Sequence, residues 1–452
     1  MRGYEGITDL YVSPDGDNRW SGLLDAPDVD RTDGPLASLN HARFLVRQMK
    51  LRGMMTAPVT VWLRGGRYAL NAPVEFGPED SGMVSYRAYP GETPVLDGGV
   101  RVTGWTDTTV NGVAAWEADV STILATHSSI NSFFVNGERR RRARWPKTDY
   151  FRMEDVPDID FSAHLFQGSN RFVAKVGDIR PWRNMTDIDV CVPHYWVQER
   201  MPIASFDPET RMVESTHTSI FALKDSFMQR YACYYLENVL DALTEPGEWY
   251  FDRAARRIIY IPLDGETPDS VECVVPVLYQ LLRIVGAPHE GVFVENLSFE
   301  RITFAYTDWY SVTGHWGRYV DPYVSKEKWR PCVCSRHFYE FDGADPHAEF
   351  AAVPQGEDHR PGALFLRGAR NVSITDCRVE HVGFHGLDMQ EGCMANRITR
   401  TVFADLGAGG VKINGSCEGY DLRTRASGNI VTDNVICSTG WVSAVAGASA
   451  VQ

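Results

Sequence analysis

The sequence predicts a mostly β protein: a right-handed parallel β-helix with an inserted antiparallel β-sandwich domain and a short N-terminal helix. Three observations predict it. Segments starting at Asn296, Asn371, Asn396 and Asn429 repeat one pattern of short β-branched strands, Asn turns and glycine corners. Closely spaced hairpin signals fill the middle of the chain without a long helical period. One stretch near the start carries apolar residues at helical spacing. These features divide the chain into 1–100, the start of the β-helix with a capping helix; 101–276, the insert; and 277–452, the remaining coils.

In chain order, "DLYVSP" reads as a strand and "PLASLNHARFLVRQMKLRG" as the helix. Its apolar face is Leu36, Leu39, Ala42, Leu45, Val46 and Met49, and Gly53 closes it. "VTVWLRGGRYAL", "MVSYRAY" and "PVLDGGVRVTGW" follow as short strands broken by Gly and Pro. The insert shows hairpins in "SFFVNGERRRRARW", in "PIASFDPETRMVES" around Asp207-Pro208-Glu209, and in "EWYFDRAARRIIYIP" around Ala254-Ala255. The arginine run Arg139–Arg144 follows an Asn-Gly turn, so we read it as a hairpin arm with arginines facing both ways, set against a substrate-facing arginine and, more remotely, nucleic-acid contact.

The repeat then specifies which residues stack. Asn371 and Asn396 are 25 residues apart, and the longer gaps of 75 and 33 come into line once loops around 316–362 and 414–427 are set aside. Asparagine suits such corners because it tolerates a left-handed backbone and can hydrogen-bond its neighbour in a ladder. Placing Val379 under Phe403 puts Tyr306, His381, Asp405 and Ser438 in one column, and Thr313, Asp388 and Lys412 in another. Successive coils lie about 4.8 Å apart.

Composition narrows the function. A net charge of -14 argues against nucleic acid or an anionic membrane surface as the main partner. No apolar run approaches the roughly 18–20 residues of a membrane span. The nine cysteines include no CxxC pair, so neither a disulfide framework nor a zinc site is indicated, and no metal or other cofactor is expected. "MRGYEGITDLYVSPDG" lacks an apolar signal core, so a cytoplasmic location is expected if Met1 is the natural start, and a secreted one if a signal was trimmed. The last segment stops at Gln452 within a coil, whereas a solenoid needs a capped end, so truncation at the C-terminus is expected. Nothing in the sequence specifies an oligomeric state.

An exposed β-helix face suits an extended carbohydrate, and the candidate chemistry is a pair of carboxylates. Asp388 and Asp405 occur in adjacent coils near one corner; glycosidases hold their two carboxyls about 5–5.5 Å apart when retaining and about 6.5–9.5 Å when inverting. The competing structural readings are a surface bridge from Asp388 to Lys412, and a bond to Asp405 from His381 or the corner amides of "DLGAGG". Glu391 is a third candidate, set against a solvated turn. His381 and His385 could orient a carboxylate or bind a sugar hydroxyl, and Lys412 could contact substrate. The aromatic-rich loop between the first two repeats is expected to fold near His381 and Asp405, where Trp316, Trp329, Arg336 and His337 could meet a sugar; a structural flap is the alternative. Two other functions stand beside hydrolysis. A polysaccharide lyase would use Lys412 or His381 as base but lacks an acidic calcium cluster, and the chain could bind carbohydrate without catalysis.

"DLYVSPDGDNRWSG", "PLASLNHAR", "VWLRGGRYAL", "PVLDGGVRVTGW", "FFVNGERRRRARWP", "GEWYFDRAARRIIYIP" and "FADLGAGGVKI" occur here in that order. In this the chain resembles bacterial right-handed β-helix glycoside hydrolases, most closely glycoside hydrolase family 141. The resemblance runs over nearly the whole chain and implies a β-helix interrupted by a β-sandwich, with hydrolysis of plant cell-wall glycans by α-L-fucosidase or xylanase chemistry. It implies carboxylate catalysis and places one carboxylate at Asp405, in "FADLGAGG"; Asp388 is the second by the stacking argument.

Overall fold

The computed structural model describes residues 4–162, 165, 167–310, 360–414 and 421–443. Three parallel sheets wrap one core. The first face orders Asp9–Val12, Val59–Leu63, Val84–Ala88, Leu297–Glu300, Ser373–Thr375, Arg397–Thr399 and Ile430–Thr432. The second orders Gly66–Ala69, Pro94–Asp97, Thr303–Ala305, Arg378–Val382, Val402–Leu406 and Val435–Cys437. The third runs from Val74–Phe76 through Leu282–Val285, Leu364–Arg367 and Leu387–Met389 to Val411–Ile413. The architecture is the β-helix expected, and its cause is visible in the alternation: Val59, Val61 and Leu63 point inward while Thr60 and Trp62 are half-buried. Inward residues then stack in register, as in Tyr86, Phe299, Ile374 and Ile398. The rings of Tyr86 and Phe299 lie nearly parallel at 5.4 Å.

The helix Leu39–Leu51 buries Leu39, Ala42, Leu45, Val46 and Met49 against the first strands. The Ser38 hydroxyl caps it by accepting from the His41 amide at 3.3 Å. Leu36 belongs to a different element: it precedes the cap and forms a parallel bridge with Val12.

The asparagine repeat needs one correction. Ser373 pairs with Arg397, so a coil here is 24 residues and Asn396 lies opposite Val372 rather than Asn371. Two separate ladder pairs result. Asn371 Nδ2 donates to Asn296 Oδ1 at 2.6 Å, both residues having left-handed backbones (φ 51 and 62). Asn396 Nδ2 donates to Asn429 Oδ1 at 2.9 Å in the next slot, and the left-handed position there passes to Ala395 (φ 56) and Gly428 (φ 64). Asn396 is fully buried and satisfied, its Oδ1 accepting from Val372 N and its Nδ2 also reaching Ala369 O, both at 3.0 Å.

After Pro94–Asp97 the chain leaves the second face, and it rejoins the third at Leu282–Val285. The intervening residues form sheets with mainly antiparallel pairing, opened by Gly99–Val102 pairing with Cys273–Pro276. Two large cores fill this insert, one around Val190, Met201, Tyr234 and Leu236, the other around Trp116, Phe133, Trp249 and Tyr260, with a smaller cluster of Val197, Ile220 and Phe221 beside them. The three hairpins are present, at Phe134–Arg139, Val197–Ser215 and Glu248–Tyr260. The arginine run faces both ways. Arg139 reaches the β-helix, Arg140 donates to Tyr260 and Glu266, and Arg142 pairs with Asp189. Arg144 donates to three backbone carbonyls.

Candidate active site

The corner after the second face is where the insert leaves the second coil, and there the coils stack an unusual backbone. Tyr306, His381, Asp405 and Ser438 are all left-handed, with φ of 65, 56, 52 and 52. For residues other than glycine this costs about 1–2 kcal/mol each and persists only where packing enforces it. The kink lets two consecutive residues face outward: Glu380 then His381, Ala404 then Asp405, before Val382 and Leu406 return to the core. His381 and Asp405 are thereby joined, with His381 Nδ1 2.8 Å from Asp405 Oδ2.

The insert completes this cluster. Arg139 Nε donates to Asp405 Oδ1 at 3.0 Å, and its Nη2 donates to the Val382 carbonyl at 3.1 Å. Phe134 packs edge-on to His381 at 5.2 Å, Tyr306 stacks on His381 at 5.0 Å, and the Phe134 and Tyr306 rings meet edge-on at 5.3 Å. Burial pushes the Asp405 carboxyl pKa up, but the Arg139 charge and the bonds from His381 and Arg139 outweigh it and hold it below the usual value. Asp405 is therefore ionised at neutral pH. Its side chain keeps 17% exposure and that of His381 16%, so the pair reaches solvent.

Two residues beyond the kinked position the column reads Asp308, Gly383, Gly407. The glycines are required by close approach: a Cβ on Gly383 would lie 2.2 Å from the Asp308 carbonyl carbon, and one on Gly407 1.8 Å from the Gly383 oxygen. Asp308 is thus a carboxylate in a column where later coils have glycine. It is buried, and its Oδ2 accepts from Asn131 N and Nδ2, both at 3.2 Å. Oδ1 has no well-formed hydrogen bond, with Ser132 its neighbouring hydroxyl. Burial dominates here and pushes the carboxyl up to about 7, against the bonds from Trp309, Ser132 and Asn131 and the charge of Arg139. Arg139 also bonds Ser132 Oγ at 3.4 Å, so one guanidinium links the surroundings of both aspartates. The sequence reading does not single out Asp308; the signal that could have found it is its alignment with Gly383 and Gly407.

The remaining candidates are placed elsewhere. Asp388 and Lys412 pair in register as expected, with Lys412 Nζ 3.4 Å from Asp388 Oδ2. The pair is not a surface bridge, since both side chains are buried on the third face. Asp388 also accepts from Gln390 Nε2 at 2.7 and 2.9 Å, while Lys412 donates to the Arg360 carbonyl at 2.6 Å. His385 is buried at the corner, where its Nδ1 accepts from the Gly409 amide at 3.2 Å. Glu391 lies on the turn between the third and first faces, 3.8 Å from His289, away from the His381–Asp405 corner. Thr313, Trp316, Trp329, Arg336 and His337 lie outside the described residues. Among the described residues no cluster of three His, Cys, Asp or Glu side chains could hold a metal ion, and no helix is long and apolar enough to cross a membrane.

Residues 355–449 match the family model for a right-handed β-helix region. No curated protein sequence matches the chain. Among solved structures, one described as a glycoside hydrolase superposes with a TM-score of 0.74 at 21% identity, covering 97% of this chain and 74% of its own. The complex of XylC with xylose aligns with a TM-score of 0.47 at 11% identity, covering 96% of this chain and 54% of its own. The chain thus carries the right-handed β-helix fold, and a solved structure described as a glycoside hydrolase is similar to it over nearly its whole length.

Proposed function

We propose that the chain is a glycoside hydrolase that works with two carboxylates, Asp405 ionised and Asp308 protonated. The observation that carries this reading is that Arg139 links two aspartates in opposite surroundings, bonding Asp405 directly and Ser132 beside the buried Asp308. One carboxyl is held low by a guanidinium and an imidazole, the other raised by burial to about 7. A proton donor of that acidity suits a leaving glycosidic oxygen near neutral pH. Asp308 gives its proton to that oxygen, and Asp405 takes one from the water that attacks the anomeric carbon. His381 and Arg139 keep Asp405 oriented and charged. The two residues belong to coils two apart, roughly 10 Å along the helix axis, which favours the wider inverting separation over the retaining one.

Asp388 is assigned a supporting role, because its carboxylate is committed to Lys412 and Gln390. Glu391 has no part in this mechanism. The substrate class is inferred from the resemblance to glycoside hydrolase family 141: α-L-fucosides or β-xylosides of plant cell-wall glycans. The test is hydrolysis of an aryl glycoside panel, led by α-L-fucoside and β-xyloside, by the wild type, Asp405→Asn and Asp308→Asn. Release lost in both variants supports the pair. Release that persists in either variant removes that residue from the mechanism, and an unsaturated product absorbing in the ultraviolet would favour a lyase instead.

A further inference from the structure

The insert carries an open surface pocket of about 260 Å³ lined by Asn111, Trp145, Arg180, Trp182 and Asp241, of which Asn111, Arg180 and Asp241 are exposed. None of these residues belongs to the Asp308–Asp405 corner. The two tryptophans are half-buried, and their ring nitrogens are already engaged, Trp145 Nε1 with the Asp178 carbonyl at 3.1 Å and Trp182 Nε1 with Asp241 Oδ2 at 2.9 Å. Their orientation is therefore set by bonds at the ring edges. Asn111 is anchored too, its Nδ2 donating to the Leu240 and Leu243 carbonyls at 2.8 and 3.0 Å. What stays unspent is polar. Arg180 stacks its guanidinium 6.0 Å above Trp145, and that guanidinium makes no hydrogen bond or ion pair among the described residues. Among the described residues Asp241 is bonded only through Oδ2, and the Asn111 side-chain oxygen accepts no hydrogen bond.

We propose that this pocket is a second, non-catalytic carbohydrate-binding site that takes one neutral pyranose residue of a glycan chain. The chemistry argues for that occupant. Tryptophan offers an apolar face to the axial C–H groups of a sugar ring, and a rigid ring loses little conformational entropy on binding. Adjacent hydroxyls need a donor and an acceptor side by side, which the Arg180 fork, the free Asp241 oxygen and the Asn111 carbonyl provide. One cation and one carboxylate leave the pocket without net charge, which matches a neutral sugar; an anionic one would meet Arg180 as a partner and Asp241 as a like charge at once. The volume, eight or nine times a water molecule's share of about 30 Å³ in the liquid, accommodates a single ring with a few waters.

The site goes beyond the proposed hydrolysis and is tested apart from it, in the full chain carrying Asp405→Asn so that no substrate is consumed. Binding of xylotetraose, cello-oligosaccharide and an oligogalacturonide is followed by calorimetry and by saturation-transfer NMR. Saturable binding of a neutral oligosaccharide, weakened tenfold or more by both Arg180→Ala and Trp182→Ala, is expected. In the protein that retains Asp405 the same two substitutions leave aryl monoglycoside hydrolysis unchanged. Arg180 is exposed, so its variant tests the site even if Trp182→Ala unfolds the insert. No saturable binding, binding indifferent to Arg180→Ala, or binding of the oligogalacturonide alone would each overturn the proposal.

Discussion

Replacing Asp308 by Asn asks whether its carboxyl is held protonated. An amide keeps the shape, and its oxygen can still accept from Asn131 N and Nδ2. In the folded protein the carboxyl is raised from 3.8 to about 7. Between those values the native state holds a proton that the unfolded chain has released. Stability is therefore fully present below about pH 4 and falls as pH rises through about 7. About three pH units at 1.36 kcal/mol each make that loss about 4 kcal/mol, of which about 3 kcal/mol falls between about pH 5 and about pH 8. The amide does not titrate, so the stability of Asp308→Asn relative to wild type should rise by that amount over the same interval. Urea unfolding at the two pH values measures it, with the slope m unchanged. A wild-type-minus-variant difference that stays flat from about pH 5 to about pH 8 would mean that Asp308 ionises normally, and the reasoning that makes it a proton donor would fail.

Other substitutions report on the neighbouring parts. His381→Ala removes one of the influences that hold Asp405 low, so the acidic limb of the pH–rate profile should move to higher pH. Gly383→Ala sets a methyl against the Asp308 backbone, and we expect a loss of stability of about 3 kcal/mol or more by thermal unfolding, with activity lost in the folded fraction. Asp388→Asn weakens a buried ion pair and should cost about 3 kcal/mol in urea unfolding, while the turnover of the folded enzyme stays within severalfold of wild type; a selective loss of turnover with stability intact would restore Asp388 to the catalytic pair.

The fold is legible in the sequence because its signals are local. Alternation along "VTVWL" and the Asn136-Gly137 turn each specify one element without reference to the rest of the chain. The register of Val379 under Phe403 is also readable, since the apolar positions of successive repeats coincide, and it brings His381 to Asp405. Asn396 misaligns by one residue because an identical amino acid does not mean an identical slot; Asn serves a left-handed corner in one coil and a buried carbonyl cap in the next. Burial is the harder property. Nothing in "GLDMQEG" announces that Asp388 lies on a covered face, because whatever covers an outward-facing residue is remote in sequence. Asp308 is hidden for the same reason: its environment comes from Asn131, Ser132 and Arg139 in the insert, far away along the chain.

One corner of the solenoid accepts loops of very different length. In one coil it is closed by the short Gly383–Gly386 turn, and in an earlier coil by the entire insert, with the same parallel strands pairing above and below. Closing a longer loop adds only about 0.6 kcal/mol per doubling in length, so the ladder hardly registers which kind it carries. The corner therefore behaves as a socket for grafting: a foreign domain whose ends meet closely could be seated there, and the strands would supply a ready-made pairing partner for whatever chemistry it brings.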